Sequence, residues 1–311
     1  MPQSGRMENM MSGKYTFAII GGDSRQAVVA KKLLSLGHTV RIFGLDASLG
    51  DISGAEIVSS LEKAVIGCDV ILLPLPVTRD NITLNFISPN ENKTVLLTDI
   101  PKASANKSES LVLGGMIPDK MTNDALLHGV EIVDYYAVDS LQKKNALPSA
   151  EGALMVAMQN TDKNIEGMKV LIGGYGRIAK ILAEKLKVLG ADVTVTARRD
   201  EVLCEIAMSG YNAVNTKDIM TLSREFHSCD VVFNTAPAMI FTKQVIENGK
   251  GKPLYIEIAS SPGGIDTCAA RESGIRIIYA HSLPGKYAPL SAGEYIFETV
   301  CELLKERGME L

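Results

Sequence analysis

The same opening occurs twice in this chain: an apolar β-branched run, a pair of glycines, then a helical stretch. FAIIGGDSRQ begins at Phe17 and VLIGGYGRIAK at Val170. Each is followed, after the helix, by another apolar run, ending near Asp46 in the first case and Arg198 in the second. A strand that turns over glycine into a helix and returns as a parallel strand is a βαβ unit, and its strands read as continuous apolar runs because helices cover both faces. Further runs extend both series. The first half offers Thr16–Ile20, Thr39–Phe43, Val70–Leu73, Val95–Thr98, Leu111–Leu113 and Glu131–Val133; the second offers Lys169–Ile172, Val193–Thr196, Val231–Asn234, Leu254–Ile258 and Ile275–Ala280. Strands alternating with helices predict an α/β fold with two Rossmann-like parallel-sheet domains.

The 311 residues suit two domains of ordinary size. The expected division is a polar leader over 1–14, a first domain over 15–145 and a second over 146–290. Between the domains, NALPSAEGALMVAMQNT reads as a connecting helix that begins at Pro148 and Ser149, with Ala153, Val156, Ala157 and Asn160 at helical spacing. A last helix over 291–311, with Ile296, Val300, Leu303 and Leu304 on one stripe, could pack back on the first domain. Composition excludes several classes. The net charge of −4 has no basic block to bind nucleic acid. No apolar run reaches the roughly 18–20 residues that span a bilayer, and the polar start lacks a secretory signal. Five scattered cysteines without CxxC spacing suggest reduced thiols in the cytoplasm.

The second glycine turn carries the clearest chemistry. From Gly174 it reads G-x-G-x-x-A after a strand and into a helix, the context that this fingerprint requires. Gly174 permits a tight turn, Gly176 lets backbone approach a pyrophosphate, and Ala179 allows close helix–strand contact. Tyr175, Arg177 and Ile178 complete the loop, whose helix offers free N–H groups and the positive end of a dipole. An NAD site usually places an acid at the end of the next strand, about 20 residues on. Here VTVTA is followed by Arg198 and Arg199. Guanidinium groups suit a 2′-phosphate, so NADP is favoured over NAD, with Arg198 as the phosphate contact. Thr235, Ala236 and Pro237 follow a later strand and are expected to border the nucleotide.

The first turn differs, because Asp23 stands where a pyrophosphate would sit. It reads either as a substrate-facing turn in which Arg25 attracts a carboxylate, or as a helix cap with Arg25 solvated. The Gly- and Pro-rich turns after the last two strands, SSPGG and HSLPGK, would let backbone approach a nicotinamide. Of the histidines, His38 and His227 adjoin helix ends and read as surface residues, while His281 stands at a strand end and is a catalytic candidate. No metal-ligand cluster, HExxH or Ser–His–Asp order is present, so no metal is expected.

GGDSRQ, NALPSAEGALMVAMQNTD, GGYGRIAK with VTARR, NTAPA, ASSPGGID and LPGKYAPLSAG, in this order, resemble the family of dipicolinate synthase A subunits. The likeness covers nearly the whole chain and is weaker before Gly114, GGDSRQ apart. It implies a role in endospore formation in the mother-cell cytoplasm, oxidation of dihydrodipicolinate to dipicolinate with NADP⁺ as hydride acceptor, and a partner in the form of a flavoprotein-like B subunit. By position, Gly174, Gly176 and Arg198 would carry NADP, and Arg25, Ser149 and Glu151 would face the cleft between domains. Lys286 stands where an apolar residue is more usual in the family. A dicarboxylate needs cations or N–H donors, for which Arg25, Lys102 and Lys286 are the candidates. Glu151 could accept the ring proton if burial raised its pKa, or it is simply a glutamate favoured near a helix start. A homo-oligomer is expected. Two other readings stay open: an NADP-dependent 2-hydroxyacid or amino-acid dehydrogenase, weakened because ASSPGGID holds no Arg, and a non-catalytic NADP-binding partner subunit.

Overall fold

The computed structural model describes residues 13–45, 52–86, 94–105 and 110–311. The chain divides into two units, Met1–Gln142 with Pro289–Leu311, and Lys143–Ala288. Each is a six-stranded parallel sheet covered by helices. In the first unit the strands are β1 (Thr16–Ile20), β2 (Thr39–Phe43), β3 (Glu56–Ile57), β4 (Val70–Leu72), β5 (Leu111–Gly114) and β6 (Ile132–Asp134). Their order is β3-β2-β1-β4-β5-β6, and every neighbouring pair is parallel. Alternation along β1 builds a core on both faces. Phe17 and Ile19 pack with α1 (Ser24–Ser35) and the last helix, α12 (Pro289–Lys305), through Ala30, Leu33, Ile296 and Val300. Ala18 and Ile20 pack with α2 (Leu61–Val65), α3 (Asp99–Ala105) and α4 (Asp119–Leu127) through Ala64, Ile100 and Met121. A Cβ on Gly293 would lie 2.8 Å from the Arg25 carbonyl oxygen and 2.6 Å from the Val28 Cβ, so glycine is what lets α12 lie against α1.

The helix α5 (Asp139–Asn160) leads into the second unit. There β7 (Lys169–Gly173), β8 (Asp192–Ala197), β9 (Asn212–Asn215), β10 (Val231–Asn234), β11 (Leu254–Glu257) and β12 (Ile277–Tyr279) repeat the plan in the order β12-β11-β10-β7-β8-β9. One face of this sheet packs on α5 and α6 (Arg177–Val188) through Val156, Ala157, Leu182 and Leu186. The fully buried Leu182 and Leu186 each contribute about 1.5–3 kcal/mol relative to exposure. The other face packs on α8 (Ile219–Ser228) and α9 (Lys243–Glu247) through Leu222, Phe226 and Val245. The helices α7 (Asp200–Met208), α10 (Thr267–Glu272) and α11 (Leu283–Tyr287) complete the unit. In each sheet the opening strand, β1 or β7, lies between the second and fourth strands. Chain order reverses beside it, which makes the ligand-binding crevice of an open α/β sheet.

Several elements differ from expectation. Val95–Thr98 is no sheet strand: Leu96 forms a lone antiparallel bridge to Thr83, and the chain turns directly into α3. The edge strands β3 and β9 went unseen because an edge strand pairs on one side only and needs no apolar run; Glu56 and Ile57 are both exposed. α5 begins at Asp139, so Pro148 lies inside the helix instead of starting it. LPGKY is a short helix, not a turn. His38 is buried, 5% exposed, with its Nδ1 accepting the Tyr15 N–H at 3.3 Å and its ring edge-on to Phe17. Burial holds its pKa below the ordinary imidazole value, so the ring stays neutral. Asp46 lies outside the described residues.

Candidate functional site

β7 ends at Gly173, and Gly174 then takes a left-handed φ of +90°. Its N–H donates to Thr196 Oγ1 on β8 at 3.2 Å. A side chain here would be strained by φ, and its Cβ would lie 3.0 Å from the Ala236 Cβ and 3.3 Å from Thr235 Oγ1. The Gly173 carbonyl accepts both the Thr235 N–H, at 3.0 Å, and the Thr235 hydroxyl, at 2.9 Å. The turn after β10 is therefore latched to the glycine turn. Gly176 is the N-cap of α6, in extended backbone with no side-chain cap, and the space around its would-be Cβ is open for 4 Å. The first-turn N–H groups of α6 consequently meet no protein side-chain oxygen at the cap, the arrangement that receives an anion. Lys185 and Lys187 complement the dipole at the other end of the helix. Tyr175 leans away from the turn: its hydroxyl donates to Ser209 Oγ at 3.3 Å, and Lys180 Nζ lies 5.0 Å above its ring.

Arg198 and Arg199 are exposed directly after β8, and Arg199 is the N-cap of α7. No acid ends β8. Asp200 and Glu201 follow in the first turn of α7, where the dipole favours them, and Asp200 accepts from Asn215 Nδ2 at 3.3 Å. The residues present thus fit a dinucleotide: an uncapped helix start, a glycine cradle and two cations after β8.

Behind this surface lies a residue that sequence reading missed. Glu257, at the end of β11, is 2% exposed. Its Oε1 accepts from Asn234 Nδ2 at 2.7 Å and the Ala259 N–H at 3.2 Å; its Oε2 accepts from the Gly264 N–H at 2.9 Å and the Tyr255 hydroxyl at 3.2 Å. Burial and the Glu257 charge raise the Tyr255 pKa far above the phenol range, so it remains a donor. Asn234 Nδ2 also donates to the Ala236 carbonyl at 2.9 Å. The carboxylate so ties NTAPA to the SSPGG turn. A lone acid inside the apolar run LYIEI was the available signal.

The substrate-side candidates are more dispersed. Arg25 is neither solvated nor free. It is buried, with Nε and Nη2 at 2.9 and 2.7 Å from the two Asp23 oxygens, and Nη2 also donates to the Leu75 carbonyl. Asp23 caps α1 in a capping box with Gln26, so the first turn closes on itself. Burial alone would raise the Asp23 pKa, but the Arg25 hydrogen bonds and charge outweigh it and hold the carboxyl below its ordinary value. Ser149 is buried and spends its hydroxyl on the Asn145 carbonyl at 2.8 Å. Glu151 is exposed and pairs with Lys185 at 2.9 Å, so the burial on which its proton-accepting role depended is absent. Lys102 is exposed beside a depression of about 450 Å³ with Ser59, Ser60 and Asp99. Lys286, on α11, and His281, after β12, are both exposed. His227, partly buried, bonds through Nδ1 to the Gly251 carbonyl at 2.7 Å. Among the described residues no His, Cys, Asp and Glu group could hold a metal.

Comparison with known proteins agrees with this geometry. A family model for the N-terminal domain of the dipicolinate synthase A subunit matches residues 16–136. The NAD binding domain of D-isomer specific 2-hydroxyacid dehydrogenases matches 139–250, which makes the second unit a nicotinamide-dinucleotide-binding domain of dehydrogenase type. The dipicolinate synthase A subunit of Bacillus subtilis is 29% identical over 93% of this chain and 95% of its own length. The crystal structure of that synthase's A subunit superposes with a TM-score of 0.78, covering 96% of this chain and 98% of the other. The crystal structure of the dipicolinate synthase A subunit from Bacillus halodurans is 30% identical, with a TM-score of 0.81 over 95% of this chain and 99% of the other. With 30% identity to a solved A subunit and similarity along nearly its full length, this chain belongs to the family of dipicolinate synthase A subunits.

Proposed function

We propose that this chain oxidises dihydrodipicolinate to dipicolinate with NADP⁺, as the A subunit of a synthase that works with a B subunit in the cytoplasm, that of the mother cell in a spore former. The observation that carries the reading is the uncapped start of α6 at Gly176 beside Arg198 and Arg199, in a chain of this family. Gly174, Tyr175 and Gly176 would shape the cradle for the pyrophosphate, and the N–H groups opening α6 at Arg177 and Ile178 would bind it. Arg198 would hold the 2′-phosphate, with Arg199 beside it, and Thr235, Ala236 and Pro237 would border the nicotinamide half. When bound, the nicotinamide accepts a hydride at C4. Oxidation also releases a proton. His281 is the better acceptor, being exposed at a strand end, whereas Glu151 is occupied by Lys185. Lys286 is the exposed cation of the second unit for a substrate carboxylate; Arg25, spent on Asp23, serves the first turn instead. Because loss of a hydride and a proton makes an aromatic ring, the protein's task is mostly orientation, which in a well-held pair is worth roughly 7–11 kcal/mol.

A homo-oligomer belongs to the same reading. An apolar groove of about 900 Å³ on the second unit, lined by Leu147, Met155, Met158 and Val188, offers a surface that a second copy would cover. The deciding experiment mixes freshly generated dihydrodipicolinate with NADP⁺ and this chain, with and without a candidate B subunit, and follows NADPH absorbance and dipicolinate together. Matched growth of both is expected. Binding of NADP⁺ with no dipicolinate in either mixture would move the non-catalytic module ahead.

A further inference from the structure

Glu257 is a charge that the reading above does not use. All four of its hydrogen-bond partners are neutral, and each donates: one side-chain amide, two backbone N–H groups and one phenol. Four donors on two oxygens match the acceptor sites of a carboxylate. The group is an acid, 2% exposed, whose hydrogen-bond partners among the described residues include no cation. An uncompensated buried charge is costly to keep, and an amide, with a single acceptor oxygen, could not receive the same four donors. Its position is specific. It holds the Asn234–Ala236 turn through the Asn234 side chain and the Ala259–Gly264 turn through backbone N–H groups, at the carboxyl ends of neighbouring strands β10 and β11. Those are the turns that border the nicotinamide half of the proposed site.

We infer that Glu257 is a positioning residue whose negative charge, carried to the floor of the nicotinamide pocket by these two turns, makes the site prefer the oxidised dinucleotide to the reduced one. This rests on the dinucleotide reading above. The nicotinamide ring carries a positive charge when oxidised and none when reduced, so a fixed anion beneath it attracts only the first form. Favouring the oxidised form loads NADP⁺ and releases NADPH. The same preference makes bound NADP⁺ a weaker oxidant, a loss that aromatisation of the substrate ring offsets.

The test is calorimetric titration of the full-length chain with NADP⁺ and, separately, NADPH. The wild-type protein is expected to bind NADP⁺ at least as tightly as NADPH. Glu257→Gln should weaken NADP⁺ about tenfold more than NADPH, equivalent to ~30 mV in the potential of the bound two-electron couple. Tyr255→Phe removes one hydrogen bond but keeps the charge, and should leave the ratio of the two affinities within about twofold of wild type. Equal losses of both forms in Glu257→Gln would overturn the inference and leave only a structural link. So would a wild-type site that binds NADPH more tightly, a result that stands even if the variant does not fold. If the wild-type chain binds neither form, the dinucleotide reading itself fails and takes this inference with it; if it binds both and the ratio is insensitive to Glu257, only this inference falls.

Discussion

The two glycine turns convert the same kind of strand into the same kind of helix, yet they treat the helix start in opposite ways. After Gly21 and Gly22, Asp23 accepts the Arg25 N–H at 3.1 Å, and Gln26 Oε1 accepts the Asp23 N–H at 3.0 Å. The glycine N–H groups are taken as well, by the Phe43 and Asn85 carbonyls. After Gly173 and Gly174, the cap is another glycine and makes no side-chain cap hydrogen bond. A Rossmann-like fold thus supplies the helix dipole in both units, but only a missing cap turns it into a place for an anion. The first turn satisfies its own donors and gains local stability; the second leaves them for a ligand.

The most forceful way to break this contrast is to copy the first cap into the second unit. Gly176→Asp meets open space, so the fold is expected to hold while NADP⁺ affinity falls about a hundredfold, ~2.8 kcal/mol, in a fluorescence titration. Unchanged affinity would show that the start of α6 is not the phosphate site. Next in size, Arg25→Ala leaves the partly buried Asp23 carboxylate without its cation. Because that side chain keeps 24% exposure, a loss of about 2 kcal/mol in urea unfolding is expected, less than for a fully buried pair. The pH dependence has a definite sign. The folded pKa of Asp23 lies below its ordinary 3.8, so its stabilisation is present above that value and is lost as pH falls through the folded pKa. Arg25→Ala should flatten that acid limb; an unaltered limb would mean that the pair is not what stabilises the first turn. The smallest effect sharpens the cofactor choice. Arg198→Ala should weaken NADP⁺ about tenfold, ~1.4 kcal/mol, and NAD⁺ hardly at all, whereas equal losses would remove the 2′-phosphate assignment.

Much of the architecture was legible because buried parallel strands must be apolar on both faces. The runs at Thr16–Ile20, Thr39–Phe43 and Val231–Asn234 coincide with strands β1, β2 and β10 to the residue. The edge strands Glu56–Ile57 and Asn212–Asn215 were not legible, since they pair on one side only and carry no apolar run, unlike the edge strands β6 and β12. Val95–Thr98 failed for the converse reason: Val95 and Leu97 are buried in the core without joining a sheet. At the candidate site, the glycine turn was readable because its constraint is local, a positive φ followed by a helix. The roles of Arg25, Ser149 and Glu151 were not, because a side chain's freedom depends on partners distant in sequence, such as the Leu75 carbonyl for Arg25 and Lys185 for Glu151.

The sequence by itself determined the two βαβ openings, the uncapped GGYG turn, the arginine pair after β8 and the family. These follow from backbone sterics and side-chain type within short segments. Only the tertiary structure decided that Arg25 is spent on Asp23, that His38 is a buried neutral ring, and that Glu257 joins two turns beneath the proposed nicotinamide site. The physical reason is common to all three. The state of a polar side chain is set by the donors, acceptors and water left to it after packing, and packing brings together Asn234, Glu257 and Gly264 from different segments.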